Sequence, residues 1–283
     1  MSEIFANHLL SFDGRGAGHR YRQPHRAGDR RNYAGSMRWV VAAVGAVVFF
    51  GASVSAQTNE RETVSNGRAW YMYFGDHTLG ESRWGFHFDG QLRMEGAFDR
   101  RNQLLLRPGI NYDVSDNVQF SGGYAFINTN GLIGSPPNFD VPENRLWQQI
   151  ILRQRVGEVR LTHRYRLEQR SIGKVAEGSL GEGEVVGHSY VNRFRYFLKG
   201  TIPLSRDDRY FAFYNELMVG FGENVQQNIF DQNRAYAAIG FRTGPATSVE
   251  IGYLLQTVQR PTGNMVLFNH TFQLGFFSSR PIG

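Results

Sequence analysis

Between Val159 and Arg170 the chain alternates almost without error between apolar and charged side chains, and that alternation constrains the fold more than any other feature. Val159, Leu161, His163, Tyr165 and Leu167 fall on one face. Arg160, Thr162, Arg164, Arg166, Glu168 and Arg170 fall on the other, because successive side chains of a strand point to opposite sides. No helical phase sorts these residues so cleanly. The same pattern sets Tyr190, Phe194, Tyr196 and Leu198 against Arg193, Arg195 and Lys199. Near the end of the chain it sets Val266, Phe268, Phe272, Leu274 and Phe276 against Asn269, Thr271 and Gln273. From about Ala69 onward such segments run for roughly ten to fourteen residues, long for globular strands and suited to tilted strands that cross a bilayer.

Composition supports the all-β reading. Hydrophobic residues make up 41% of the 283-residue chain, yet no apolar run reaches the roughly 18 to 20 residues a membrane-crossing helix needs. A polytopic helical membrane protein is excluded. Aromatics at 14%, 33 Gly and only two Lys suit pleated strands and tight turns. Cysteine is absent, so disulfides and thiolate metal sites are excluded.

The apolar stretch from Trp39 to Ala52 follows Met37 and Arg38 and ends in Val54-Ser55-Ala56 before Gln57, the layout of a secretory signal peptide. The expected organisation is a disordered or mis-annotated leader over 1–36, a signal peptide over 37–56 cleaved after Ala56, a short N-terminal segment over 57–66 and one barrel domain over 67–278. Residues 1–56 hold seven of the 31 basic and three of the 25 acidic residues, which leaves 24 and 22 and lowers the net charge from +6 to +2. A nucleic-acid partner, suggested by the basic whole-chain balance, loses its support.

Alternation alone does not separate a membrane barrel from a soluble sandwich. Connector lengths favour the barrel. They are short near Ser115 to Asn117, at Gly157-Glu158, at Ser205 to Asp208 and at Thr243 to Thr247, and long over 130–143, 173–188 and 222–232. Short turns at one end and long outward loops at the other are the habit of outer-membrane barrels. Trp70, Tyr71, Tyr73, Trp84, Tyr112, Tyr124, Trp147, Tyr165, Tyr196, Tyr210 and Tyr253 lie mostly near segment ends, as interfacial girdles do. The expected fold is a single transmembrane antiparallel up-and-down β-barrel of ten to twelve strands. Eleven segments are countable, so the one at Trp70 either has a weak upstream partner or lies outside the wall.

Basic density on one face of three consecutive segments marks the candidate site: Arg153 and Arg155, then Arg160, Arg164, Arg166, Glu168 and Arg170, then Arg193, Arg195 and Lys199. Arg facing lipid at mid-membrane costs about 2–4 kcal/mol, which turns these side chains into the lumen. There they either line an anion-preferring channel or anion-binding site, since guanidinium forks pair bidentately with carboxylate and phosphate oxygens, or they close the barrel by pairing with Glu143, Glu168, Glu216, Glu250 and Asp113. The second reading is preferred, because small barrels have little room for water. A lipid- or lipopolysaccharide-modifying hydrolase would need a nucleophile and base near one rim. His188 with Ser189, and Asp207-Asp208, are the weak candidates. His163 and His270 fall on apolar faces, and no His/Asp/Glu spacing marks a metal site. No cofactor is implied.

Seven strings, read in order, resemble the family catalogued as domain of unknown function 2490. They are QLLLRPGINY from Gln103 to Tyr112, Gly122-Gly123-Tyr124-Ala125-Phe126, ENRLWQQ from Glu143 to Gln149, RYRLEQR from Arg164 to Arg170, Arg193-Phe194-Arg195-Tyr196, FDQNR from Phe230 to Arg234, and Gly252-Tyr253-Leu254-Leu255-Gln256. The resemblance spans about residues 66 to 278. It implies an outer-membrane barrel and no activity. One departure stands out: Phe276-Phe277 is followed by Ser-Ser-Arg-Pro-Ile-Gly, whereas many such barrels end on an aromatic. The expected function is a non-enzymatic structural or binding protein of the outer membrane of a Gram-negative-type cell, with a narrow anion-preferring channel and a lipid hydrolase as alternatives. Its expected partners are outer-membrane lipids and, during biogenesis, the barrel-assembly machinery and periplasmic chaperones; it is expected to be a monomer.

Overall fold

The computed structural model describes residues 62–131, 139–204, 208–225, 229–260 and 265–283. The leader, the signal peptide and the cleavage position lie outside them. Among the described residues eleven strands form one closed sheet: β1 (Glu62–Thr78), β2 (Trp84–Glu95), β3 (Arg100–Ser115), β4 (Val118–Thr129), β5 (Val141–Val156), β6 (Val159–Glu177), β7 (Gly183–Pro203), β8 (Arg209–Phe221), β9 (Phe230–Gly244), β10 (Thr247–Gln259) and β11 (Met265–Ser278). Each strand has a hydrogen-bonded neighbour on both sides, so the sheet closes without an edge strand.

Every expected segment is a strand, including the one at Trp70, which belongs to β1 and lies in the wall. The odd count has a geometric consequence. In an up-and-down meander an odd number of strands brings the first and last together running the same way, so β1 pairs with β11 in parallel, from Glu62 opposite Met265 to Gly75 opposite Ser278. All other neighbours are antiparallel. The seam is reinforced by stacked rings, Tyr73 on Phe276 at 5.8 Å and Phe74 on Phe277 at 5.3 Å. The tail after Phe277 extends it: Ile282 exchanges backbone hydrogen bonds with Thr78 and Gly80, and the Arg280 carbonyl lies 2.8 Å from the His77 ring.

Connections alternate between two ends. Tight turns such as Gly157-Glu158 occupy one, where Gly157 takes a positive φ of 60° that L side chains resist. The chain leaves β4 at Asn130 and β8 at Gly222 at the other. The stretch 173–188 corrects an expectation: it is not a long loop. Strands β6 and β7 stay paired through Glu177 opposite Gly183, leaving only a short turn at the tip of a projecting hairpin.

The faces sort as the alternation requires. On β2, Trp84, Phe86, Phe88, Leu92 and Met94 point outward, while the inward His87, Asp89, Gln91 and Arg93 are buried. From Trp84 to Met94 the apolar face measures about 33 Å along the strand, or about 25 Å along a barrel axis at the usual tilt near 40°. Three of the aromatics expected in the girdles do not belong there: Trp70, Trp147 and Tyr210 point inward and are buried. Trp70 packs with Met72, Tyr210, Tyr214, Tyr236 and Leu254, and Trp147 with Leu105, Ala125 and Ile127. The Trp147 ring lies over the backbone of Gly109 and Gly123, the space any side chain there would fill. Trp84, Tyr112, Tyr124, Tyr165, Tyr196 and Tyr253 do face out.

Candidate functional site

The inward faces of β5 to β8 meet in a layer of ion pairs. Its centre is Glu168 on β6. One carboxylate oxygen of Glu168 accepts from Arg195 at 2.6 Å and has Arg107 at 3.6 Å and Arg166 at 3.9 Å; the other accepts from Arg193 and has Arg145 at 3.6 Å. Glu216 on β8 receives Arg164 at 2.7 Å, Arg195 at 2.6 Å and Arg234 at 3.3 Å. Glu143 on β5 receives Arg145 and, at 2.6 Å, Arg170. Asp89 pairs with Arg107 at 2.7 Å, and Asp231 with Arg193 at 2.7 Å. Arg166 donates to the Gln149 side-chain carbonyl at 2.6 and 2.9 Å and lies over the Trp147 ring.

Lysine and tyrosines complete a smaller cluster toward the turn end. Glu250 accepts from Lys199 at 2.5 Å and from the Tyr210 and Tyr236 hydroxyls at 3.1 and 3.4 Å.

Arg166 and Glu168 are each 1% exposed, Glu216 2% and Arg195 4%, so these charges are almost wholly withdrawn from solvent. A carboxylate and a guanidinium each lose several kcal/mol of solvation on such burial, and only short, multiple contacts offset it. Among the described residues five carboxylates in the layer face eight guanidiniums, so the pairing saturates the acids and leaves positive charge over.

Of the residues singled out by sequence, Arg164, Arg166, Glu168, Arg170, Arg193 and Arg195 converge in the layer, and Lys199 joins the Glu250 cluster. Arg153 is drawn aside to the Gln119 side chain at 3.1 Å. Arg155 is exposed and donates to the Gly157 carbonyl in the turn, and Arg160 is exposed at the turn-end mouth. Of the expected acidic partners, Glu143, Glu168, Glu216 and Glu250 pair as foreseen; Asp113 instead accepts from the Gln119 amide at 2.9 Å. Sequence reasoning missed Arg93, Arg107, Arg145 and Arg234. Each sits on an inward parity position, but their segments carry fewer neighbouring charges, so they did not stand out as clusters.

Two vestibules flank the layer. One, of about 450 Å³, opens at the loop end beneath Asn130 and Val258. The other, of about 370 Å³, opens at the turn end between Arg160, Thr201 and Ser248.

The rim candidates for catalysis do not assemble. His188 and Ser189 are successive residues of β7, opposite Gly173 and Ile172, and so take opposite faces. Asp207 lies outside the described residues. A pair that the sequence did not announce, buried His87 through its Nδ1 with the partly exposed Asp76 at 2.7 Å, has Asn111 donating to the same carboxylate oxygen. His87 Nε2 has no hydrogen-bond partner among the described residues, so no nucleophile is joined to it. On the outer face His163 bonds Gln154 and the Tyr196 hydroxyl, and His270 bonds the Tyr253 hydroxyl. No group of three His, Asp or Glu able to hold a metal ion occurs among the described residues.

A family model described as "Protein of unknown function (DUF2490)" matches residues 67–266. The chain belongs to the DUF2490 family. An uncharacterized protein of Methylorubrum extorquens is 26% identical to this DUF2490 member over 223 residues, 76% of this chain and 89% of the relative. Among solved structures, the NanC porin has 11% identity and a TM-score of 0.40, covering 70% of this chain and 92% of its own. The β domain of the Bordetella autotransporter BrkA has 11% identity and a TM-score of 0.32, covering 67% and 89%.

Proposed function

We propose that this DUF2490 member is an outer-membrane β-barrel, exported behind a leader cleaved after Ala56, that serves as a structural or ligand-binding envelope protein with a sealed lumen. Its polarity is inverted relative to a soluble protein. Phe86, Leu106, Ile110, Phe120, Leu146, Leu167, Ile251 and Phe272 lie exposed on the outer face, while Asp89, Arg107, Arg166, Glu168 and Glu250 are almost fully buried inside. An apolar belt this extensive on a monomer's surface calls for an apolar solvent, and a belt about 25 Å tall matches a bilayer core. Short turns then face the periplasm and the longer connections face outward. Outer-membrane lipids are its standing partners, with chaperones and the assembly machinery acting only during insertion.

The observation that carries the sealed-lumen reading is Glu168, a carboxylate with almost no exposure, clasped by arginines from three other strands. A barrel built to pass solute keeps its narrowest charges in water; here they are spent on each other. Purified mature protein reconstituted in planar bilayers should show no conductance steps above baseline. Regular ohmic steps would overturn the sealed-lumen reading in favour of the second one, a narrow anion-preferring channel, which the surplus of guanidiniums and a vestibule at each end favour.

A further inference from the structure

We propose that the loop-end vestibule is a binding site for a small molecule bearing carboxylate or phosphate oxygens, held by Trp70, Arg68, Arg93 and Arg234. The inference deepens the ligand-binding side of the function proposed above and rests on it. These four residues come from β1, β2 and β9 and all line the cavity of about 450 Å³, a volume in the range of small-molecule sites. Trp70 is the platform. The Arg93 guanidinium carbon lies 4.0 Å from the Trp70 ring centroid and that of Arg234 lies 4.9 Å from it, contacts that hold both cations in place.

What distinguishes this corner is that two of its three cations, Arg68 and Arg93, have no carboxylate bonded to them among the described residues. Arg93 is 9% exposed, yet its hydrogen bonds go to the side-chain carbonyls of Gln91 and Gln103, both neutral. Arg68 donates to the Asn102 side chain. Among the described residues neither has a carboxylate within 4.0 Å, whereas the nearby Glu95 is taken by Arg100 at 2.6 Å. Arg234 reaches Glu216 only at 3.3 Å and shares that carboxylate with two other arginines.

The second observation is a set of buried donors without acceptors. Arg68 Nε, Trp70 Nε1 and Arg234 Nε are shielded from solvent and have no partner, and Trp70 and Arg234 are 2% and 8% exposed. All three are N–H groups. A buried donor without a partner costs about 1–3 kcal/mol, and charged donors cost more. A ligand made of acceptors and negative charge relieves them; a neutral polyol, which must itself find acceptors for its hydroxyls, fits this wall poorly. Carboxylate and phosphate oxygens are the chemistry that matches three donors under excess positive charge.

The test titrates the full mature chain, folded in detergent, with inorganic phosphate, citrate, short-chain phosphatidic acid and sucrose. Binding is read by calorimetry and by tryptophan fluorescence, with Trp84 and Trp147 replaced by Phe to isolate Trp70, at low and at raised salt. Saturable, salt-sensitive binding of phosphate or citrate is expected, with none for sucrose. R93Q and R234Q should each weaken it about tenfold or more, as loss of a charge-assisted contact does. R155Q, at the exposed turn end of β5, should leave it unchanged. R93K, which keeps the charge and loses the fork, should fall between wild type and R93Q. Heat-modifiable gel migration identifies the folded barrel for every variant. Binding of phosphate and citrate without phosphatidic acid assigns the site to soluble anions; tighter binding of phosphatidic acid assigns it to a lipid headgroup. Absence of saturable binding for all three anions, or binding that R93Q and R234Q leave intact, overturns the proposal. That failure with silent bilayers removes the site and leaves the sealed barrel standing; conductance with intact anion binding does the reverse.

Discussion

One lumen holds two kinds of buried arginine. On the β5 to β7 side, Arg145, Arg164, Arg170, Arg193 and Arg195 are each anchored to a carboxylate at 2.7 Å or less. On the β1 and β2 side, Arg68 and Arg93 bond to amides alone. Arg93 and Arg193 are 9% and 3% exposed, so burial does not separate them; the partner does. A paired guanidinium and its carboxylate lock strands together, and removing either strands the other. A guanidinium bonded to amides leaves nothing charged behind when it goes, and while present it carries a field that a ligand can answer. The first arrangement is structural and the second is poised for binding.

The largest effect should come from breaking the paired side. Glu168→Gln leaves the guanidiniums of Arg193 and Arg195 facing a neutral amide, and should lower stability by about 3–5 kcal/mol, measured by reversible urea unfolding in lipid vesicles. A loss under about 1 kcal/mol would mean that these charges do not depend on one another. Next is the outer wall: Phe272→Arg, near the middle of the greasy face of β11, should cost about 2–4 kcal/mol in the same vesicles. A neutral result there would contradict the lipid-facing assignment. Smallest is the amide-bonded side. Arg93→Met strands no carboxylate and keeps a long apolar stem beside Trp70, so its effect on unfolding should stay within about 1 kcal/mol. A loss as large as that of Glu168→Gln would erase the distinction between the two sides.

Much of this architecture was legible in residue order. The eleven segments, the face each side chain takes and the convergence of Arg164, Arg166, Glu168, Arg193 and Arg195 follow from parity along single strands. Other features were not. Trp70, Trp147 and Tyr210 look like girdle aromatics because type and position near a segment end are local, while their inward burial depends on space left by glycines such as Gly109, Gly123 and Gly240 on other strands. The stretch 173–188 reads as a loop because glycine and charge dominate it, yet backbone pairing of β6 with β7 carries through, with one register shift between Lys174 and Val175. Arg93 and Arg107 do not stand out in the sequence because Arg93 is the one arginine of β2 and Arg107 lies apart from Arg100 and Arg101 at the start of β3.

Strand direction, the two-faced wall and the inward turn of its charge are properties of local alternation, and sequence by itself determined them. Which charges meet was decided only by closure. Arg164 finds Glu216 across 52 positions, and Arg193 finds Asp231 across 38. Such pairs depend on strand order, register and the parallel joining of β1 to β11. The physical reason is one of range: a side chain's face depends on its immediate neighbours in the strand, while its counter-charge depends on where a distant strand comes to rest.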